Sequence, residues 1–337
     1  MTNNRLKGFT YGAVAAASYG MNPLFALPLY GAGMSVDSVL FYRYFFAVVM
    51  LGILMKVKKQ SFALKKADIL PLAVMGLLFS FSSFFLFESY NYMDAGIAST
   101  ILFVYPVLVA IIMAVFFHEK VSFITMFSIA LAFTGISLLY EGGDGRTLNL
   151  LGVLFVILSS LTYAIYIVGV NRSSLKNLPT AKLTFYALLF GIIIYVVRLD
   201  FCTALQLVPA PLLWVNVFSL ALFPTIISLI AMTLSIHRIG STPAAILGAL
   251  EPVTALFCGV VVFGEQLTPR IMLGVLMILT AVNLVLASSA SSFEAPSLIT
   301  FGAPSTASLA SFKPRPVISR TTLITLTLLG PTSVRRK

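Results

Sequence analysis

The sequence predicts an all-α integral membrane protein of ten transmembrane helices, arranged as two inverted five-helix repeats with a disordered C-terminal tail. Three observations predict it. Of 337 residues, 59% belong to the hydrophobic set and 10% are charged, whereas a soluble domain carries about 25% charged residues. The apolar residues fall into ten runs separated by short polar breaks, each near the ~20 residues that one crossing needs. The second half of the chain repeats the first at a nearly constant offset.

The first run, residues 8–30, follows Arg5 and Lys7 and is interrupted by Asn22-Pro23. Its basic start and the A-x-A spacing of Ala15 and Ala17 are also features of a secretory signal. The run continues past that cut, however, and losing it would spoil the repeat. The next runs are 36–55, 69–87, 96–117 and 121–140, and the second five are 148–170, 181–197, 211–236, 242–263 and 269–287. All must be helical, because an unpaired backbone group in lipid costs several kcal/mol and only helices or closed barrels avoid that cost. The runs are too long and continuous for barrel strands.

Basic residues orient the spans. Lys and Arg in the N-terminus, in alternate loops (Lys56, Lys58, Lys59, Lys65, Lys66, Lys120, Arg172, Lys176, Lys182, Arg238) and in the tail all fall on one side. The other side holds only Arg146, Arg198 and Arg270, while Arg43 lies inside a span. This asymmetry predicts a plasma-membrane protein (the inner membrane if bacterial) with both termini cytoplasmic, which requires an even number of crossings. It also places the Asn171-Arg172-Ser173 sequon on the wrong face for glycosylation. The net charge of +11 does not indicate a nucleic-acid partner, since there is almost no aqueous domain on which to cluster it.

An offset of 146 residues lays Pro106 on Pro252, Glu119 on Glu265 and Thr134 on Thr280, and one of 144 lays Gly8 on Gly152 and Tyr19 on Tyr163. Five spans per unit is an odd number, so the second unit enters the membrane from the opposite side, an architecture associated with carriers. The units are residues 1–145 and 146–290. Two cysteines, Cys202 and Cys258, and two histidines in unrelated segments are too few for a disulfide framework or a Cys/His metal site. With no nucleotide-binding or nucleophile-elbow motif in sight, the expectation is no cofactor, no metal and no enzymatic activity.

The stretches from Ala98 through Tyr105-Pro106 to His118-Glu119-Lys120, and from Ala244 through Glu251-Pro252 to Gly264-Glu265, resemble the fourth-helix signature of the EamA-like family of the drug/metabolite transporter superfamily. The resemblance covers roughly residues 5–288. It implies ten helices, alternating access, and export or exchange of small metabolites such as amino acids. It also implies a central cavity lined mainly by the first, third and fourth helices of each half, with the fifth of each peripheral.

Glu251 sits mid-span, where a carboxylate is costly and is by default a pathway, proton or substrate group; the alternative is a structural Glu that fixes the kink at Pro252. Its first-half equivalent is Tyr105, so any proton coupling is asymmetric. Arg43 either clamps a substrate carboxylate or reaches outward to Asp37 or Glu88. Glu88 and Asp94 suggest an external mouth or turn. Glu119 and Glu265 precede the N-cap candidates Ser122 and Thr268-Pro269, which suggests a role in helix termination. Gly8 and Gly12 form a packing G-x-x-x-G.

Cavity candidates are Ser18, Tyr19 and Asn22 on the first span, with Thr162, Tyr163 and Tyr166 on the sixth. Pro23, Pro106 and Pro252 are the helix breakers. Phe81, Phe84 and Phe85 either line a pocket or face lipid and packed helices. Residues 291–337 are rich in Ser, Thr and Pro with six basic residues; they read as a disordered tail able to touch anionic lipid, or as an appended segment outside the fold.

The expected function is a secondary transporter in the lipid bilayer that exports a small amino-acid-like or amphipathic metabolite, by proton-linked or facilitated exchange. The alternatives are an integral-membrane enzyme, which lacks a His/Asp cluster, and a non-transporting interaction protein, which would not need polar residues inside both halves.

Overall fold

The computed structural model describes residues 3–118, 123–140, 149–239, 244 and 247–291. In chain order the helices are α1 (Asn3–Gly20), α2 (Asn22–Gly31), α3 (Val36–Val57), α4 (Lys66–Ser89), α5 (Ala95–Leu102), α6 (Tyr105–Phe117), α7 (Phe123–Tyr140), α8 (Leu150–Arg172) and α9 (Thr180–Arg198). They continue with α10 (Leu213–Ala221), a π-helical segment Leu222–Ile227, α11 (Ser228–Ile239), α12 (Leu250–Phe263) and α13 (Pro269–Ser291). No strand occurs among the described residues. Six stretches are long and apolar enough to cross a bilayer: Val36–Val57, Lys66–Ser89, Ala95–Phe117, Leu150–Arg172, Thr180–Arg198 and Leu213–Ile236. Shorter apolar helices cover Phe123–Leu139, Leu250–Phe263 and Pro269–Leu284.

The first apolar run is broken into α1 and α2 at Met21, and the cause is local. Pro23 has no N–H to give the carbonyl of Tyr19, four residues back. The Asn22 side-chain amide donates to that carbonyl instead, at 2.9 Å. Pro106 likewise strips the Leu102 carbonyl of its helical donor, and the chain passes from α5 to α6 through Phe103 and Val104. Here the substitute comes from another helix: the Ser160 hydroxyl of α8 lies 3.1 Å from Leu102 O. Pro252 opens α12, where Glu251 N–H bonds Gly248 O at 2.9 Å.

Small residues let the helices approach. A Cβ on Gly8 would come within 2.5 Å of Ile239, and one on Gly12 within 2.7 Å of the Ser235 hydroxyl, which itself donates to Gly8 O at 2.9 Å. The G-x-x-x-G is therefore the face on which α1 packs against α11. Helix α1 also packs on α12; α8 packs on α4, α5 and α6; α3 packs on α9, α5 on α12 and α7 on α13. Side chains such as Phe116, Phe123, Phe257 and Leu276 stand exposed on the outside. Such a surface suits hydrocarbon rather than water.

Candidate functional site

A cavity of about 230 Å³ lies among α1, α3, α4, α6, α8, α9, the π segment, α11 and the start of α12. It extends from Glu251 and Tyr19 at one end to Asn171 and Thr180, beside the α8–α9 connection, at the other. Most of its wall is apolar and aromatic. Tyr105 and Tyr163 meet edge to face at 4.8 Å, Tyr163 stacks on Tyr166 at 5.9 Å, and Phe79 lies 5.3 Å from Tyr166. Rings with these separations gain from each other beyond simple burial, so the wall is stiff. The phenolic oxygens add the few polar groups that fix a ligand's orientation.

An acidic and a basic side chain share this compartment. Glu251 and Arg43 both line it, and Tyr19 is within electrostatic reach of each. Arg43 is 4% exposed; its Nε donates to Thr225 Oγ1 at 3.2 Å, and its guanidinium lies 5.1 Å from the centre of the Phe87 ring. Thr225 belongs to the π segment, formed where Pro224 interrupts the helix. π-bulges of this kind recur at functional sites because they redirect side chains without ending the helix.

Six of the residues read from the sequence (Tyr19, Arg43, Tyr105, Tyr163, Tyr166 and Glu251) line one cavity. Asn22 does not. It is 3% exposed and its amide is spent on the Tyr19 carbonyl, so it shapes the break rather than the cavity. Pro23, Pro106 and Pro252 are likewise outside the cavity lining. Ser18 and Thr162 are also outside the lining; the Thr162 hydroxyl bonds back to Leu158 O.

Arg43 does not reach outward, because Asp37 is already held by Arg198 in a two-pronged bridge at 2.6 and 3.1 Å. Phe84 lies under that same Arg198, 4.2 Å from the guanidinium carbon, and Phe85 stacks on Phe155. The third-span aromatic in the cavity wall is Phe79 instead. Glu265 also departs from expectation: its carboxylate accepts from Ala95 N–H at 2.9 Å and from Gly96 N–H at 3.2 Å, capping α5 rather than its own following helix. That helix, α13, receives its cap from Thr268, whose Oγ1 accepts from Ile271 N–H at 3.3 Å. Glu119 and Ser122 lie outside the described residues.

Sequence reasoning missed Thr225, Phe79 and the polar residues at the far end of the cavity, Asn171, Thr180 and Thr184. Pro224 inside an apolar run was a signal for the first of these. The others carry no local mark and become neighbours only through packing.

The family model of EamA-like transporters matches the chain twice, over residues 6–141 and 150–287. Among similar proteins, the uncharacterised transporter YxxF of Bacillus subtilis (strain 168) is 26% identical over 66% of this chain and 71% of its own length. The uncharacterised transporter YcbK of the same organism is 25% identical over 71% of this chain and 79% of its own. An uncharacterised transporter of Archaeoglobus fulgidus is 28% identical over 56% of this chain and 66% of its own. A solved crystal structure with 17% sequence identity superposes with a TM-score of 0.60, covering 85% of this chain and 98% of that one, a likeness of fold. With nearly all of its helical part matched by the family model and an apolar outer surface, the chain is a multi-pass membrane protein that belongs to the EamA-like transporter family.

Proposed function

We propose that the protein is an alternating-access secondary transporter that exports a small amino-acid-like or amphipathic metabolite across the plasma membrane. The observation that carries this reading is the cavity itself, in which a carboxyl group, a guanidinium and four tyrosines from distant parts of the chain converge. A ligand ammonium suits Glu251 within the tyrosine rings, an acidic group suits the terminal N–H groups of Arg43, and an apolar body suits the aromatic wall. Glu251 is then also the group through which proton exchange couples to transport.

Ten spans in two inverted units, 1–145 and 146–290, account for the packing. The repeat offsets exchange α1 with α8, α4 with α11, and the α5–α6 span with that of α12. The contacts of α1 with α11 and α12 thereby become those of α8 with α4 and α5–α6. With cytoplasmic termini, the basic α8–α9 connection faces the cytoplasm and the cavity is inward-facing. The tail expected over residues 291–337 lies, beyond Ser291, outside the described residues.

Counterflow into proteoliposomes tests the proposal, with a panel of amino acids and cationic amphiphiles at two internal pH values. Uptake of one chemical class, saturable and dependent on internal substrate, is the expected result. No uptake of any compound by monodisperse protein removes the carrier reading.

A further inference from the structure

At the end of the molecule away from Asn171 and Thr180, the α12–α13 turn is fastened to α5 by one side chain. Gly264 closes α12 with φ +71°, a conformation glycine adopts without a Cβ clash. The chain folds back so that Gly264 N–H bonds Val260 O at 3.2 Å, as in the αL C-cap, and Glu265 N–H bonds Gly259 O at 3.0 Å. The Glu265 side chain is thereby aimed at the first turn of α5. That turn has unpaired N–H groups and a positive dipole end, and Asp94 at its N-cap position makes no capping hydrogen bond.

The carboxylate occupies a fitted notch. A Cβ on Gly96 would come within 2.7 Å of Glu265 Oε2, and a Cβ on Gly259 would overlap the same oxygen. The two helices joined here carry the cavity's chemistry at their other ends: α5 leads into Tyr105, and α12 begins beside Glu251.

We propose that Glu265 is the latch of a gate at the end of the bundle away from the α8–α9 connection, pinning α12 to α5, and that the transport cycle breaks and remakes this contact. The inference rests on the alternating-access reading, since only a carrier must part α5 from α12 at this end.

The latch is proton-sensitive, and the sign follows from its surroundings. Burial first, and then the neighbouring Asp94, push the Glu265 carboxyl up to about 7, against the opposing pull of the Ala95 and Gly96 N–H groups. The groups facing it are Asp94 from the α4–α5 turn and Cys258 from α12, and Arg270 stands in the first turn of α13. Released into water, the same carboxyl returns to an ordinary value near 4.5. The latched state therefore binds the proton more tightly, so acid on that face holds the latch shut and alkali favours release.

The test uses spin labels at Asn91 and Gln266, both exposed, in the full chain in liposomes with Cys202 and Cys258 changed to Ser. Double electron–electron resonance reads the gap between the two turns. A ratio of long- to short-distance populations growing by well over about tenfold between pH 5 and pH 8 is expected. Glu265→Gln, a stand-in for the protonated acid, stays short at both pH values. Glu265→Ala, which removes the carboxylate, and Gly96→Ala, whose Cβ fills the notch and displaces it, are long at both. One unchanged distance in every variant at both pH values overturns the proposal. Counterflow together with that unchanged distance leaves the transporter reading standing, whereas a pH-dependent gap without counterflow removes Glu265 from any transport cycle and leaves it a proton-sensitive fastening of α12 to α5.

Discussion

The Ser160 hydroxyl lies 3.1 Å from the carbonyl oxygen of Leu102, the oxygen that Pro106 deprives of its helical donor. It is also 3.4 Å from Ile101 O and 3.0 Å from Val156 O of its own helix, so its one hydrogen is shared among these acceptors. One side chain of α8 thus supports the break between α5 and α6 on which Tyr105 is mounted. Ser160→Ala leaves a buried carbonyl without that donor. The expected cost is about 1 kcal/mol, read as a lower thermal midpoint in detergent, with Ser160→Thr retaining most of the stability.

Glu251→Gln keeps the shape of the cavity and removes its carboxylate. Under the proposed function, counterflow of a cationic or zwitterionic substrate falls by at least about tenfold, the factor that corresponds to 1.4 kcal/mol of lost charge pairing. The pH dependence of net transport is lost with it. Unchanged pH dependence takes the coupling role away from Glu251.

Arg43→Lys retains the charge but not the planar group that meets both Thr225 and the Phe87 ring. A drop in substrate affinity of about tenfold is expected, because lysine is a point charge without a fork of donors. Thr225→Val removes the bond accepted from Arg43 and the long one donated to Leu220 O, but leaves the guanidinium in place, and has the smaller effect. Substrate-dependent thermal shift of the two variants measures the difference.

Gly12→Val drives a branched side chain into Leu247 and Ser235. Over-packing at this face costs about 1–3 kcal/mol, seen as a lower unfolding temperature. The conservative Thr10→Ser, at an exposed hydroxyl that bonds only its own helix at Leu6 O, leaves the midpoint unchanged.

Glu265 makes stability depend on pH in a direction that can be checked. Its carboxyl is raised to about 7 from 4.5, so the folded chain holds this proton more tightly than the unfolded chain. Stability from this group is fully present below about 4.5 and is lost as pH rises through about 7. The Gln variant lacks the titration. Its thermal midpoint is expected to exceed that of the wild type at pH 8, with the gap closing toward pH 5.

The class of the protein and the face of α1 that packs on α11 were legible in the residues, because both are repetitive local properties. Apolar length decides what can sit in lipid, and Gly8 and Gly12 four residues apart present one small-residue stripe. Tyr19, Arg43, Tyr105, Tyr163, Tyr166 and Glu251 were also visible, since polar groups within apolar runs are few and stand out. Their partners were not visible. Nothing near Arg43 in the chain indicates that Arg198 takes Asp37, leaving Arg43 to Thr225. Nor does the turn containing Glu265 show that the N-terminus it serves belongs to α5.

The sequence by itself therefore determined the membrane class, the family, the breaks at Pro23 and Pro106, and the short set of polar residues that a lipid environment makes conspicuous. Tertiary structure decided which of these residues share a cavity, which carbonyl Ser160 supports, and which helix Glu265 holds. The physical reason is range. Hydrophobic length and the missing proline N–H act within a few residues of their source, whereas a hydrogen bond or ion pair forms only between groups that packing brings within about 3 Å, however far apart they lie along the chain.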